Sequence, residues 1–265
     1  MKILTLARDL TRRKARERSG LFVAEGIRTV EELLASSLRI TGALTCDLLD
    51  HTPRGAVLAA ALHGRAVDVV RVSESEFFSA SDTEHAQGVL AIAEQPKHTL
   101  SSVSISSANE PVRLLVLDGI QDPGNVGTLL RTAAAFGVTA TIVLPGTVDV
   151  WNAKVVRSAV GMQFRHLTIN STEESLAAFL RERGIVLWGA DTTGVSIDSL
   201  PDSVPNRLAL VVGNEGAGLK PSLRAACDTL VALPMVPGAE SLNVAVAAGI
   251  VLFALRPCPR TNEST

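Results

Sequence analysis

Three short segments of this chain gather glycines around amide, carboxylate and guanidinium side chains. The first reads Asp118-Gly-Ile-Gln-Asp-Pro-Gly-Asn-Val-Gly-Thr-Leu-Leu-Arg131 and carries Asn125 and Arg131. Gly124 and Gly127 would let the backbone turn tightly and approach a ligand closely. A helix starting near Gly127 would present free N–H groups to an anion, although Asn125 also reads as a helix cap and Arg131 as a solvated cation. The second reads Gly213-Asn-Glu-Gly-Ala-Gly-Leu219, with three glycines in six residues. It suits backbone packed against a flat ligand, with Glu215 either holding a cation such as Arg131 or standing as a solvated turn carboxylate. The third reads Pro234-Met-Val-Pro-Gly-Ala-Glu-Ser-Leu-Asn-Val244. Ser241 is a natural N-cap for a final helix, and Asn243 would lie in its first turn. No Gly-Lys-Ser/Thr and no G-x-G-x-x-G occurs in these loops, which argues against an ordinary nucleotide-dependent enzyme.

Each segment follows a short apolar run, and those runs are the elements that must position it. Arg113–Leu117, Ala140–Leu144, Ile185–Gly189, Leu208–Val212 and Thr229–Leu233 read as strands buried on both faces. Helical patterns alternate with them at Thr128–Phe136, Ala153–Val160, Glu173–Arg183, Pro221–Ala226 and Ser241–Leu255. Such alternation makes a mostly parallel α/β sheet, whose ligands sit beyond the carboxyl ends of the strands.

A Ser-rich stretch at 96–111 reads as a linker, dividing an N-terminal domain (1–95) from a C-terminal one (112–265). Before it, a basic helical stretch Lys2–Arg18 leads to an apolar run at Leu21–Ala24. A helix at Glu25–Ala35, a strand at Leu38–Leu44, a helix at Ala56–Leu62, and strands at Val67–Val72 and Val89–Ala93 follow, as in a small α/β sandwich.

The 265 residues are 46% hydrophobic and 20% charged, which supports a sizeable core. Net charge is only −2, yet the first twenty residues hold seven Lys or Arg against two acidic groups. Arg12, Arg13, Lys14, Arg16 and Arg18 within that segment suit either a phosphate footprint or a solvated helix face. Aromatics are 3% and tyrosine is absent, so any RNA would be read through shape, phosphates and sugars rather than by base stacking. Cys46, Cys227 and Cys258 form no zinc spacing, no metal is expected, and a reduced cytoplasmic setting fits. The longest apolar run, Leu242–Leu255, is shorter than the ~20 residues that span a bilayer, so no membrane role is expected.

Together the three segments resemble the three motifs of the SpoU/TrmH group of SPOUT RNA methyltransferases. The match runs through Asp122-Pro-Gly-Asn125-Val-Gly127 with Arg131, Gly213-Asn-Glu215-Gly-x-Gly218, and Leu233-Pro-Met235 with Ser241-Leu-Asn243-Val. Gly20-Leu-Phe-Val-Ala-Glu-Gly26 and Gln87-Gly-Val-Leu-Ala are similar to the ribosomal-protein-like substrate-binding domain found in some members. One departure is Pro237, where the family commonly has glycine.

The resemblance implies a SPOUT-type parallel sheet with a C-terminal trefoil knot, a homodimer, and S-adenosylmethionine as cofactor. The cofactor would sit against Ala190, Asp191, Thr192, Gly213, Asn214, Gly218, Leu233, Met235 and Leu242. Asn125, Arg131, Glu215, Ser241 and Asn243 would form the catalytic set. The implied activity is methylation of a ribose 2′-hydroxyl in RNA, with large-subunit (23S) ribosomal RNA favoured by the N-terminal domain. The same chemistry on transfer RNA, or an RNA-binding protein without activity, are the alternatives. The resemblance makes Arg131 a general base. An arginine keeps its proton in proteins, so pinning an RNA phosphate and polarising the hydroxyl is the easier role.

Overall fold

A computed structural model describes residues 2–65, 67–107, 110–200, 204–236, 238 and 241–256. Pro237 and Cys258 therefore lie outside the described residues. The chain forms two compact units. One comprises Met1–Lys97, Asp122–Arg131 and Val148–His166; the other comprises His98–Gln121, Thr132–Thr147 and Leu167–Thr265.

The first unit begins with α1 (Lys2–Asp9) and α2 (Arg13–Ser19). The basic stretch expected as one helix is thus broken, because Arg12 is extended. Arg16 closes the break by donating to the carbonyls of Leu10 (2.8 Å) and Thr11 (2.9 Å). Then come β1 (Leu21–Glu25), α3 (Ile27–Leu34), β2 (Ile40–Thr45), α4 (Pro53–Gly64), β3 (Val69–Arg71), α5 (Glu74–Phe78) and β4 (Val89–Glu94). The sheet order is β1-β4-β2-β3, with β4 antiparallel to both neighbours and β3 parallel to β2. Ile27, Val30, Leu33 and Leu34 give α3 one buried stripe at helical spacing. Phe22 on β1 meets the rings of Trp151 (4.6 Å) and Phe164 (5.5 Å), which joins 148–166 to this unit.

The second unit carries β5 (Val112–Leu117), the far end of α6 (Pro123–Ala135), and β6 (Ala140–Val143). After α7 (Ala153–Ser158), which belongs to the first unit, it continues with β7 (Thr168–Asn170), α8 (Glu173–Arg183), β8 (Val186–Ser196), β9 (Arg207–Val212), α9 (Pro221–Ala226), β10 (Thr229–Ala232) and α10 (Val244–Ala254). All paired strands are parallel, in the order β10-β8-β9-β5-β6-β7. Every residue of β5 is buried, as a strand covered on both faces requires. Its one charged residue, Arg113, donates to the carbonyls of Leu255 (2.7 Å), Asn206 (2.7 Å) and Val112 (3.1 Å). Burial lowers the pKa of this guanidinium, and its bond to Leu255 ties down the last turn of α10. Val103, within the Ser-rich stretch, is 2% exposed and joins the core of this unit, with Leu100 and Ile105 packed beside it.

Candidate functional site

The loop after β5 is fixed by hydrogen bonds to its neighbours in the same unit. Asp118 is buried, and its Oδ2 accepts from the Lys220 amide at 2.9 Å. The Lys220 ammonium lies 3.1 Å from Asp118 Oδ1 and 2.9 Å from Glu173 Oε1. That pairing raises the pKa of Lys220 and lowers that of Glu173. Gly119, at φ +70°, donates to Thr147 Oγ1 (3.0 Å) and accepts from Asn214 Nδ2 (2.8 Å). The Gln121 amide donates to Glu215 Oε2 at 3.3 Å. Thus Asn214 and Glu215 hold the first segment to the second.

The helix that follows begins earlier than its glycines suggest. Pro123 opens α6, and Asp122 Oδ1 accepts from the Asn125 amide at 2.8 Å, so Asp122 supplies the cap. Gly124 and Gly127 are helical rather than turn residues. A Cβ on Gly127 would lie 2.4 Å from Ser158 Cβ and 2.7 Å from the Val155 carbonyl, so this glycine permits close packing of α6 on α7. Asn125 is half-buried in the first turn of α6, and Arg131 is exposed two turns on.

The second segment is a closed loop. Asn214 and Gly218 exchange backbone hydrogen bonds of 2.9 Å, and Asn214 Oδ1 accepts from the amides of Gly216 and Ala217 at 3.0 Å. A side chain on Gly213 would meet the Gly218 backbone at 2.3 Å. In the third segment the cap is Asn243, not Ser241. Asn243 Oδ1 accepts from the amides of Ala245 (2.9 Å) and Val246 (3.3 Å). Asparagine caps as well as serine, and Ser241 lies two residues before the helix entry.

Midway along β8, Asp191 Oδ2 accepts from Arg224 Nε at 2.9 Å. Its Oδ1 accepts from the amide (2.9 Å) and hydroxyl (2.7 Å) of Thr193. Chiefly through the Arg224 bond, the Asp191 carboxyl is pushed down to about 2.

The middle of β8 and the ends of β9 and β10 surround a cavity of about 390 Å³, within the range of ligand pockets. It is lined by Ala190, Asp191, Thr192, Gly213, Asn214, Gly218, Leu233, Met235 and Leu242, and by Glu215, Ser241 and Asn243. The nine residues expected to hold the cofactor therefore share one cavity with three of those expected to act in catalysis. Asn125 and Arg131 stand on α6 instead.

Arg16 departs from expectation. It is 3% exposed and pairs with Asp149 Oδ2 at 2.7 Å, so it is part of the packing and cannot offer its charge to phosphate. Arg12, Arg13, Lys14 and Arg18 are exposed, although Arg12 pairs with Asp9 and Arg13 with Glu17. Sequence reasoning missed Asp118, Lys220 and Arg224. Asp118 and Lys220 each adjoin a motif loop, a signal available in the sequence. Arg224 gave none, since a basic residue in a last helical turn is ordinary.

The model of the SpoU rRNA Methylase family matches residues 112–253, and that of the MRM3-like substrate binding domain matches residues 3–91. The 23S rRNA (guanosine(2553)-2′-O)-methyltransferase RlmP of Bacillus subtilis is 33% identical over 250 residues, covering 94% of each chain. Among solved structures, the SpoU methyltransferase AviRb from Streptomyces viridochromogenes in complex with AdoMet superposes with a TM-score of 0.85 at 25% identity, over 96% of this chain and 97% of that one. The AdoMet-bound rRNA methyltransferase from Sinorhizobium meliloti gives a TM-score of 0.82 at 28% identity, over 96% and 93%. With the second and third motifs converging on one cavity and the family match running through more than half its length, the chain belongs to the SpoU rRNA methylase family.

Proposed function

We propose that this protein methylates the 2′-hydroxyl of a guanosine in 23S ribosomal RNA, using S-adenosylmethionine. The observation that carries this reading is the cavity between the middle of β8 and the carboxyl ends of β9 and β10, lined by residues of the second and third motifs. The cavity fits the cofactor in chemistry. Val231, Leu233, Leu242 and Val251 offer apolar walls, while Asp191, Thr192, Asn214 and Glu215 offer polar groups. When bound, the cofactor supplies a methyl group activated on a sulfonium sulfur.

The chain's own residues have three tasks. The closed loop 213–218 presents a rigid wall, because the amides of Asn214, Gly216, Ala217 and Gly218 are satisfied internally. Asn243 fixes the entry of α10, and Arg113 fixes its exit. Arg131 is assigned to the RNA: its planar fork binds a phosphate and polarises the nearby hydroxyl, with the proton leaving to a substrate phosphate or water. Asn125, Glu215 and Ser241 complete the catalytic set as orienting groups.

Residues 1–95 are assigned to substrate binding, through Arg12, Arg13, Lys14 and Arg18 on and beside α2. Residues 112–265 are assigned to catalysis, with the trefoil knot in this part. The active form is assigned as a homodimer. Val246, Ile250 and Phe253 are 46–52% exposed on α10, an apolar stripe that a second copy would cover. Val246→Asp should then yield a monomer in sedimentation. No helix among the described residues is long and apolar enough to cross a membrane, and a ribosomal RNA substrate assigns the work to the cytoplasm. The substrate assignment is tested by transfer of label from methyl-labelled S-adenosylmethionine to unmodified ribosomal and transfer RNA pools. Label in the ribosomal pool supports it; label confined to transfer RNA overturns it.

A further inference from the structure

The wall of the cavity formed by β8 is an interruption of that strand. Gly189 pairs with Leu230 of β10, yet the next residue of β10, Val231, pairs with Val195. Ala190–Gly194 is therefore looped out of the ladder, and Ala190, Asp191 and Thr192 of that bulge line the cavity. Glycines bracket it. A Cβ on Gly189 would lie 2.8 Å from Leu219 Cδ1 and 2.9 Å from Cys227 Sγ, and one on Gly194 would lie 2.5 Å from the Leu230 backbone. The strand can leave and re-enter the sheet only where no side chain intervenes.

Inside the bulge, side chains tie the conformation down. Asp191 accepts twice from Thr193, and Arg224 on α9 reaches both residues: Nε to Asp191 Oδ2 at 2.9 Å, and Nη2 to Thr193 Oγ1 at 2.6 Å. One guanidinium thus clips two alternate residues of the bulge with its planar fork, a geometry a lysine reproduces only in part.

We infer that Arg224 is a positioning residue for S-adenosylmethionine binding, acting through the Asp191–Thr193 clip that holds the 190–194 bulge against the cofactor. This rests on the cofactor reading of the cavity. Arg224 lies outside the cavity lining, so its removal takes nothing from the cofactor directly. What it removes is preorganisation, and a looser wall costs affinity through the ordering it must undergo on binding.

The test is calorimetric titration of S-adenosylmethionine into the full-length protein, with thermal unfolding and RNA binding measured alongside. Arg224→Met should raise Kd by about fivefold to tenfold, the cost of reordering the loosened bulge on binding. RNA affinity should hold close to wild type, while the unfolding temperature falls because Asp191 loses its cation. Arg224→Lys should recover part of the loss. Thr193→Val, which deletes only a hydroxyl, should move Kd in the same direction by less. Amide exchange at Thr193 should quicken in Arg224→Met, because its acceptor is released. A Kd within twofold of wild type in both Arg224→Met and Thr193→Val overturns the inference. If Arg224→Met fails to fold, the Thr193→Val and Arg224→Lys titrations decide the matter alone. Absence of binding by the wild type would instead overturn the cofactor reading, so the two failures are distinguishable.

Discussion

Gly127→Ala tests how α6 is seated. On helix propensity alone, alanine in place of a helical glycine stabilises by ~1 kcal/mol. At Gly127 the added Cβ would lie 2.4 Å from Ser158 Cβ, 2.7 Å from the Val155 carbonyl oxygen and 2.9 Å from the Ala159 amide. Two of these neighbours are backbone, so relief requires α6 and α7 to separate. Overpacking of this kind costs ~1–3 kcal/mol, and because two of the contacts are unyielding the upper part of that range applies. Subtracting the propensity gain leaves a net loss of ~1–2 kcal/mol. Denaturant unfolding of wild type and variant measures it directly. The same substitution at Gly64, the last residue of α4, meets nothing within 4 Å and has ordinary backbone angles. Gly64→Ala should be neutral or stabilise by up to ~1 kcal/mol. Because α6 carries Asn125 and Arg131, Gly127→Ala should also slow methyl transfer at saturating cofactor. A Gly127→Ala protein as stable as wild type would refute the packing argument.

Other outcomes follow from buried charges and exposed ones. His166 is 8% exposed, and burial lowers its pKa from 6.5 to about 4. The unfolded chain therefore binds more protons between those values, so stability is complete above pH 6.5 and falls as pH drops towards 4. The loss is on the order of 3 kcal/mol, and His166→Gln should flatten that slope in unfolding experiments run across the window. Arg16→Met should destabilise by ~3 kcal/mol, because half-buried Asp149 is left without its cation; the double variant with Asp149→Leu should recover much of this. Lys14→Ala with Arg18→Ala should leave the unfolding curve unchanged, weaken RNA binding, and lower the salt dependence of that binding by about one to two ions.

Much of this molecule was legible in its residue pattern. The central strands read true because continuous apolar runs have few alternatives between helical stretches, and α8 and α9 were bounded correctly by their caps and a proline. Errors cluster where local chemistry competes. The start of α6 was misread because glycines that permit helix packing look identical in sequence to glycines that permit a turn. Ser241 and Asn243 are both good caps, and only the helix axis decides between them. The three-residue edge strand β7 is too short to show a period. Beyond Gly189, β8 reads Ala-Asp-Thr-Thr-Gly-Val-Ser, with neither an apolar run nor an apolar-polar alternation, which hid its extension and the bulge. Arg16 was grouped with its basic neighbours, since sequence cannot show that one basic residue of five points inward to an aspartate 133 residues away.

Nucleoside analysis of the reaction product tests the central claim most directly. Ribosomal RNA treated with the protein and methyl-labelled S-adenosylmethionine would be digested and its nucleosides resolved by mass spectrometry, with Arg131→Ala run in parallel. The account requires one labelled nucleoside carrying the methyl group on the ribose 2′-oxygen, alkali-resistant at its 3′ linkage, and lost in the Arg131→Ala reaction. A methyl group on a base, or a ribose methyl formed equally by Arg131→Ala, would contradict it.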